Sequence, residues 1–552
     1  MGNDLARNQQ APDQRLTRGI ADLIERMEWI TAIAVSAVSL LLFIVRATHA
    51  GSLFRDEADA VQSAQLPLSE MFHAVQFSSF PILFPLILRA YTGLFGATDA
   101  SLRCFGFAVG ILLIAVTWLL IRKLIGKAPL FLPVMIGLST NFLIAGMESR
   151  GYGLGSLMIL LAFVCNVRLL FNPTVPTLVS VFVADLASVQ CLFWNGPLVL
   201  AFTVAAIGVF LLRREVKWIF PLATILLLCG LSQLFYLWLF HSTLVSWEKV
   251  VEVPVAFRLV WEVFFVAWGD VSASVSIIWL SVILVAIIVA LWRLTTIRNS
   301  YRTHQRDSLL FGALLIPFSI IASCVLARLI GLAPEQRFFL ALTVLVAATA
   351  DLIWATFPLW LRAARVGLTI LAMATLPFWF WGYIIYAESN AETVAKMLEQ
   401  NAEPVDLVVV SPWTYGISFN WYYHGRARWI SVPQIDDHRI HRVDLLLTKM
   451  ESVSPLADLK DEITMTLKSG NRVWFAGQAE LPPPGEGPPQ LSPAPDPKFG
   501  WDGFVYRKAW SQEITLFLSQ HDTRSELVDL QMAGLVSARE NMPLYLLEGW
   551  KD

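Results

Sequence analysis

The sequence predicts an α-helical polytopic membrane protein with about eleven transmembrane helices, followed by a C-terminal extracytoplasmic α/β domain. Three observations predict it. Of 552 residues, 56% are hydrophobic and only 15% charged, and the mean hydropathy is +0.59, a balance outside the range of soluble enzymes. Apolar runs of about 20 residues, the length that crosses a hydrocarbon core of roughly 30 Å, recur from Trp29 to Tyr386. Beyond Tyr386 the chain turns polar, and strand-like and helical patterns alternate as they do in small α/β domains.

In order, residues 1–28 are polar, carry Arg15, Arg18 and Arg26, and lack the short apolar core and small-residue cleavage site of a signal peptide. They are expected to form a cytoplasmic tail. The transmembrane region follows over 29–387, with spans at Trp29–Val45, Cys104–Ile121, Ala128–Met147, Gly151–Val167, Thr177–Phe193, Pro197–Leu212, Trp218–Phe240, Ser272–Leu291, Ser308–Ala327, Phe338–Leu361 and Val366–Tyr386. The apolar stretch Pro81–Phe95 is short and contains Pro85 and Arg89, so it is expected to lie along the membrane surface within a first external loop, 48–101.

Loop charges support that arrangement, because Lys and Arg accumulate on the cytoplasmic side of short loops. Arg122, Lys123, Lys127, Arg168, Arg213, Arg214, Lys217, Arg293, Arg306, Arg362 and Arg365 all fall on one side, while the loops with Asp56, Glu148, Glu248, Glu252, Glu262 and Arg337 fall on the other. The protein is therefore placed in the plasma (inner) membrane, with its N-terminus cytoplasmic and its tail outside. Residues 388–552 are long enough for a domain. Strands are expected at Asp406–Val410, Asn471–Phe475 and Pro543–Leu547, helices at Val443–Glu451 and Leu456–Leu467, and a Pro- and Gly-rich loop over 481–498.

The net charge of -2 says little by itself, and no basic block suggests nucleic acid as a partner. Cys104, Cys165, Cys191, Cys229 and Cys324 lack metal-binding or disulfide spacings and read as small core residues. The histidines show no metal-ligand spacing either. His438 and His441, beside Asp436 and Asp437, read as solvated surface. Asp185 with Gln190, and separately Asp351, fall inside spans and read as buried contacts between helices.

Chemistry concentrates at two outer helix ends. Phe54-Arg55-Asp56-Glu57-Ala58-Asp59 sets three carboxylates just past the first span, and Glu148-Ser149-Arg150-Gly151-Tyr152 sets a carboxylate and a guanidinium between two others. Charges at that depth are costly unless paired or functional.

These motifs resemble the GT-C glycosyltransferases that use polyprenyl-phosphate sugars, the group of the protein O-mannosyltransferases and the lipid A aminoarabinose transferase. Asp56-Glu57 matches their acidic motif, Pro81 to Pro85 and Phe95-Gly96 their Pro-containing surface helix, and Ser101-Leu102-Arg103 the helix that follows. Glu148 to Tyr152 is similar to their Glu-x-Arg-Pro-Tyr signature with Gly151 for Pro, and Glu335-Gln336-Arg337-Phe338 to their Arg-Tyr pair with Phe338 for Tyr. Ser78-Ser79-Phe80 stands where some members carry a basic residue.

The resemblance implies a GT-C-like inverting transferase that moves a sugar from a polyprenyl-phosphate donor to an extracytoplasmic glycan, lipid or protein. Asp56 would be the general base, with Glu57 and Glu148 assisting. Arg150, Arg337 and, more weakly, Arg55 would bind the departing phosphate through their planar forks, and Tyr152 the substrate. Some members use a divalent metal and others do not, and no obligatory metal or other cofactor is expected. A polytopic transporter or lipid flippase is the alternative, but the chain has no internal repeat and no pair of Gly/Pro-broken spans in matching halves.

Overall fold

The computed structural model describes residues 2–78, 80–239, 241, 256–269, 272–296, 303–331, 334–483, 486–532 and 534–552. Glu248, Glu252 and Ser79, singled out above, lie outside them. Among the described residues nine helices are long and apolar enough to cross a membrane, from Arg18–His49 to Leu359–Ile385. They correspond to nine of the eleven expected spans. The opening helix runs unbroken from Gly2 to His49, so the expected polar tail continues the first span as helix from residue 2.

The two remaining spans depart from expectation in an informative way. Val175–Cys191 is a helix of 17 residues, about 26 Å at 1.5 Å per residue and so just short of the hydrocarbon core. The expected Ala128–Met147 span is split into a helix at Phe131–Gly137 and a wide turn at Phe142–Gly146. Polar residues 139–141 fall at the break, where the Ser139 hydroxyl accepts from the Phe142 N–H at 3.4 Å, the local competition that interrupts helices. The Asp99 helix starts at the end where Arg103 meets Glu57, and the chain is back at that end by Arg150. Trp194, just past Cys191, stacks on Phe338 beside Arg337.

Leu83–Phe95 is a separate helix of 13 residues, as its length and its proline require. Arg89 on it donates to the Ala64 carbonyl at 3.0 Å and to that of Leu66, tying it to the Arg55–Gln65 helix. The buried ionisable residues within the bundle make contacts between helices. Asn166 donates to Asp185 at 3.1 Å, Gln190 to Ser232 at 2.9 Å, and Asp351 accepts from the N–H groups of Leu130, Phe131 and Leu132 at 3.0–3.1 Å while facing Arg365 at 3.2 Å. All five cysteines are free.

The C-terminal domain contains a five-stranded sheet of order β2-β1-β3-β5-β4, formed by β1 Leu407–Ser411, β2 Arg428–Ser431, β3 Val473–Gly477, β4 Asp522–Leu527 and β5 Leu544–Trp550. The strands β2, β1 and β3 are parallel and β5 runs antiparallel to β3 and β4. Every residue of β1 and β3 is buried, as both faces of a covered parallel sheet must be. Their runs Leu-Val-Val-Val and Val-Trp-Phe-Ala are the ones the sequence identifies. The edge strands β2 and β4 and the helices Ala391–Asn401, Tyr415–Tyr422 and Gly503–His521 carry weaker patterns and were not expected.

Domain and bundle meet through buried polar contacts. Arg46 pairs with Glu388 and donates to the Tyr386 carbonyl at 2.8 Å, and the Glu388 N–H donates to Ala50 O at 2.8 Å. Tyr422 donates to Asp99 at 2.8 Å and accepts from the Leu53 N–H at 2.7 Å, while Asn420 donates to Gln62 at 2.7 Å. The first loop is thus clamped between the two halves.

Candidate active site

The site is assembled from the ends of distant segments, beginning with the Arg55–Gln65 helix. Its first turn carries Asp56 and Glu57, where the helix dipole favours negative charge. Glu57 is fully buried. Its carboxylate accepts from Arg103 at 2.6 Å, from the Ser149 N–H at 3.0 Å and from the Phe54 N–H at 3.4 Å. Arg103 also donates to the carbonyls of Gly51 and Ser52 at 3.1 and 3.0 Å. This pair joins three chain segments, and Glu57, placed by the sequence beside the reacting groups, faces inward with its acceptors in use.

Asp56 has different partners from Glu57 and is 15% exposed. Its Oδ2 lies 3.0 Å from Arg150 and 3.2 Å from Arg337, and its Oδ1 3.3 Å from His441 Nε2 and 3.7 Å from Arg55. Arg150 reaches it because the 146–150 turn sits tightly on two helices through glycine. A Cβ at Gly106 would stand 1.8 Å from the Met147 carbonyl oxygen, and one at Gly153 1.9 Å from that of Gly146, so any larger residue would force the turn away. Arg337 comes from the short helical turn Gln336–Phe339 and pairs with Glu335 at 2.7 Å.

Electrostatics follow from these distances. Burial favours the neutral form of Asp56, but Arg150, His441, Arg337 and Arg55 together hold its carboxyl well below the usual carboxylate range. Glu148 moves the other way. It is buried 3.7 Å from Arg150, and desolvation, helped by the nearby Glu57, raises its carboxyl above the ordinary value despite Arg150. The guanidinium groups of Arg55, Arg150 and Arg337 thus face Asp56, and Glu148, Glu335 and Glu540 each lie within ion-pair range of one of them; planar forks of this kind suit an anion.

Beneath the guanidinium groups lies an aromatic floor. Tyr152 is fully buried, with its ring centroid 5.0 Å from the Arg150 guanidinium carbon and 5.8 Å from that of Arg337. Phe80 packs edge-on against it at 5.1 Å, and Phe338, the residue in place of the expected Tyr, lies 6.1 Å away with Trp194 stacked on its far face. Such contacts orient guanidinium planes while leaving their N–H groups free to donate. The Tyr152 hydroxyl makes no hydrogen bond among the described residues.

The structure brings Asp56, Glu148, Arg150 and Arg337 together in one ion-pair cluster. Arg55 sits at its edge, 24% exposed, 3.8 Å from Glu540, and donating to the Arg539 carbonyl at 3.0 Å. No family model matches the chain, and no curated protein matches it. Among the solved structures that resemble it are two of ArnT. The crystal structure of ArnT from Cupriavidus metallidurans in the apo state is 15% identical, covering 81% of this chain and 92% of that one, at a TM-score of 0.36. That of ArnT from the same organism bound to undecaprenyl phosphate is 14% identical with the same coverage, at a TM-score of 0.34.

Two residues that contact Asp56 or Arg55 carry no signal for this role in the sequence. His441, taken as solvated surface, contacts Asp56, and its neighbour His438 is buried at 6% exposure. Burial there pushes the His438 imidazole down to about 4. Glu540, fully buried, accepts from the Arg55 N–H and the Ser389 hydroxyl, both at 2.9 Å. Burial raises its carboxyl to about 7, although Arg55 opposes the shift. No local signal connects positions 441 and 540 to position 56; only the folded topology does.

Glu540 makes a prediction about pH. The folded chain holds this proton to about pH 7 while the unfolded chain releases it near the ordinary 4.5, so between these values the folded state binds more protons and stability falls as pH rises. Melting curves of E540Q across that window are expected to slope less steeply than those of the wild type.

Proposed function

We propose that the chain is an integral membrane glycosyltransferase that moves one sugar from a polyprenyl phosphate to an acceptor on the extracytoplasmic side of the inner membrane. One observation carries this reading: a carboxylate bracketed by two guanidinium groups, each from a different helix end, at the mouth of a helical bundle. Asp56 is the base and takes the proton of the acceptor hydroxyl or amine as the acceptor's lone pair attacks the anomeric carbon. The bond from that carbon to the phosphate oxygen breaks, and its electron pair leaves with the lipid phosphate, which Arg150 and Arg337 receive. A single displacement inverts the anomeric centre, and the carboxylate steadies the oxocarbenium-like charge in passing.

The contacts of Asp56 add a step to this account. A carboxylate on two guanidinium groups is a weak base. A lipid phosphate competes for the same two groups, and as they turn to it the Asp56 carboxyl rises toward its ordinary value. Donor binding therefore activates the base. In this scheme Glu57 and Arg103 form the frame, buried Glu148 limits how far Arg150 is neutralised, and Tyr152 is the floor under both arginines. Arg55 is an accessory group at the rim.

Membranes containing the protein, incubated with a panel of labelled polyprenyl-phosphate sugars, are expected to move one label onto an acceptor. Flux of intact lipid without transfer would replace this reading with the transporter. R150K and R337K each keep a charge but lose the planar fork, and each is expected to lower kcat/KM for the donor about a hundredfold, chiefly through KM. Undecaprenyl phosphate binding, followed by thermophoresis, should weaken in parallel.

A further inference from the structure

We propose that His441 is a positioning residue for Asp56, so that the C-terminal domain enters the chemistry by holding the base; this rests on Asp56 acting as that base. The imidazole is delivered by a firmly seated segment. Next to it, Ile440 is buried with Leu66, Met71 and Ala74 of the first loop, and Arg439 reaches Glu70 at 3.3 Å. The His441 N–H donates to Asp59 at 2.9 Å, one helical turn beyond Asp56, and its ring stands at 87° to Trp413 with centroids 6.1 Å apart. Backbone and ring are fixed together.

From that position Nε2 meets Asp56 Oδ1 at 3.3 Å. With Asp56 ionised, Nε2 is the donor. The two oxygens of Asp56 are thus divided: Oδ2 lies on Arg150 and Arg337, and Oδ1 lies on a residue supplied by the other domain, with Arg55 farther off at 3.7 Å. The terminal torsion of an aspartate is soft, so a carboxylate that surrenders the arginines to phosphate keeps its direction only through a remaining partner. His441 is the hydrogen-bonding partner that remains on Oδ1, with Arg55 3.7 Å from the same oxygen, and it leaves the freed Oδ2 for the acceptor. Asp59, Arg55, Arg150 and Arg337 are the other charged groups facing this contact from the first loop and the bundle.

The test measures transfer from whichever undecaprenyl-phosphate-linked sugar turns over best in the labelled panel, using the full chain in detergent and monitoring its folding by size-exclusion chromatography. H441A is expected to lose about thirtyfold in kcat, in keeping with the cost of about 1 Å of misplacement, with donor KM and the Kd for undecaprenyl phosphate within about twofold of wild type. H441Q places an amide nitrogen near the position of Nε2 and is expected to recover to within about threefold. A contact that is only structural would show no such rescue and would move KM and folding together. The proposal is overturned if H441A turns over within about twofold of wild type, if H441Q is as slow as H441A, or if KM changes while kcat does not. D56N in the same assay separates the two ideas: activity in D56N overturns the base reading and this inference with it, whereas an inactive D56N beside a fully active H441A overturns this inference alone.

Discussion

D56N is expected to reach the membrane at the wild-type level and to transfer sugar about a thousandfold more slowly, the scale on which a general base acts. Folding should survive, because neither arginine is stranded: Arg337 keeps Glu335 at 2.7 Å and Arg150 keeps Glu148 at 3.7 Å, with the Tyr152 and Phe80 rings against Arg150 at 5.0 and 5.6 Å. The second half of the prediction has the opposite sign. An amide competes weakly for guanidinium, so both arginines become available to an anion, and undecaprenyl phosphate should bind D56N more tightly than wild type. Slow transfer with tighter product binding distinguishes a missing base from a collapsed site, which would lose both. Transfer at the wild-type rate would remove Asp56 from the chemistry.

The parts of this arrangement visible in the sequence are those that depend on local pattern. Apolar runs give nine full spans, and the continuous β-branched and aromatic runs at Val408 and Trp474 give the two central strands. The Asp56 and Arg150 motifs stand out because charge at a helix end is expensive. Long-range partnership is another matter. Asp56 and Glu57 are adjacent carboxylates of similar appearance, and only the folded chain separates them, because helical geometry turns one toward Arg103 inside and the other toward Arg150. His441 lies in a run of charged residues that reads as solvated until Ile440 beside it is seen buried in the first loop. The split of the expected Ala128–Met147 span was likewise hidden, since hydropathy averages over the polar residues 139–141 where the helix breaks.

The opposite end of the bundle makes the second large prediction. Asp351 is fully buried and accepts from three backbone N–H groups that open the Phe131–Gly137 helix, the groups a helix start leaves without partners. It also faces Arg365, itself buried, which donates to Glu28 at 2.7 Å and to the Ala128 carbonyl at 3.3 Å, while Glu28 pairs with Arg362 as well. D351A removes the acceptor for all three N–H groups and half the charge opposing a buried guanidinium. A buried pair broken on one side costs about 3–5 kcal/mol, so the yield and melting temperature of D351A in detergent should fall sharply. D351N keeps an oxygen for part of the cap but no charge, and should fall between D351A and wild type. Glu25, 42% exposed and 2.6 Å from Lys127, is the control: E25Q removes a shorter but solvent-exposed ion pair and should shift stability by no more than about 1 kcal/mol. If D351A and E25Q melted together, the buried network would be packing without consequence. The order wild type, D351N, D351A instead makes Asp351 the fastener that joins the first, third and last two helices, the framework from whose far end Asp56, Arg150 and Arg337 converge.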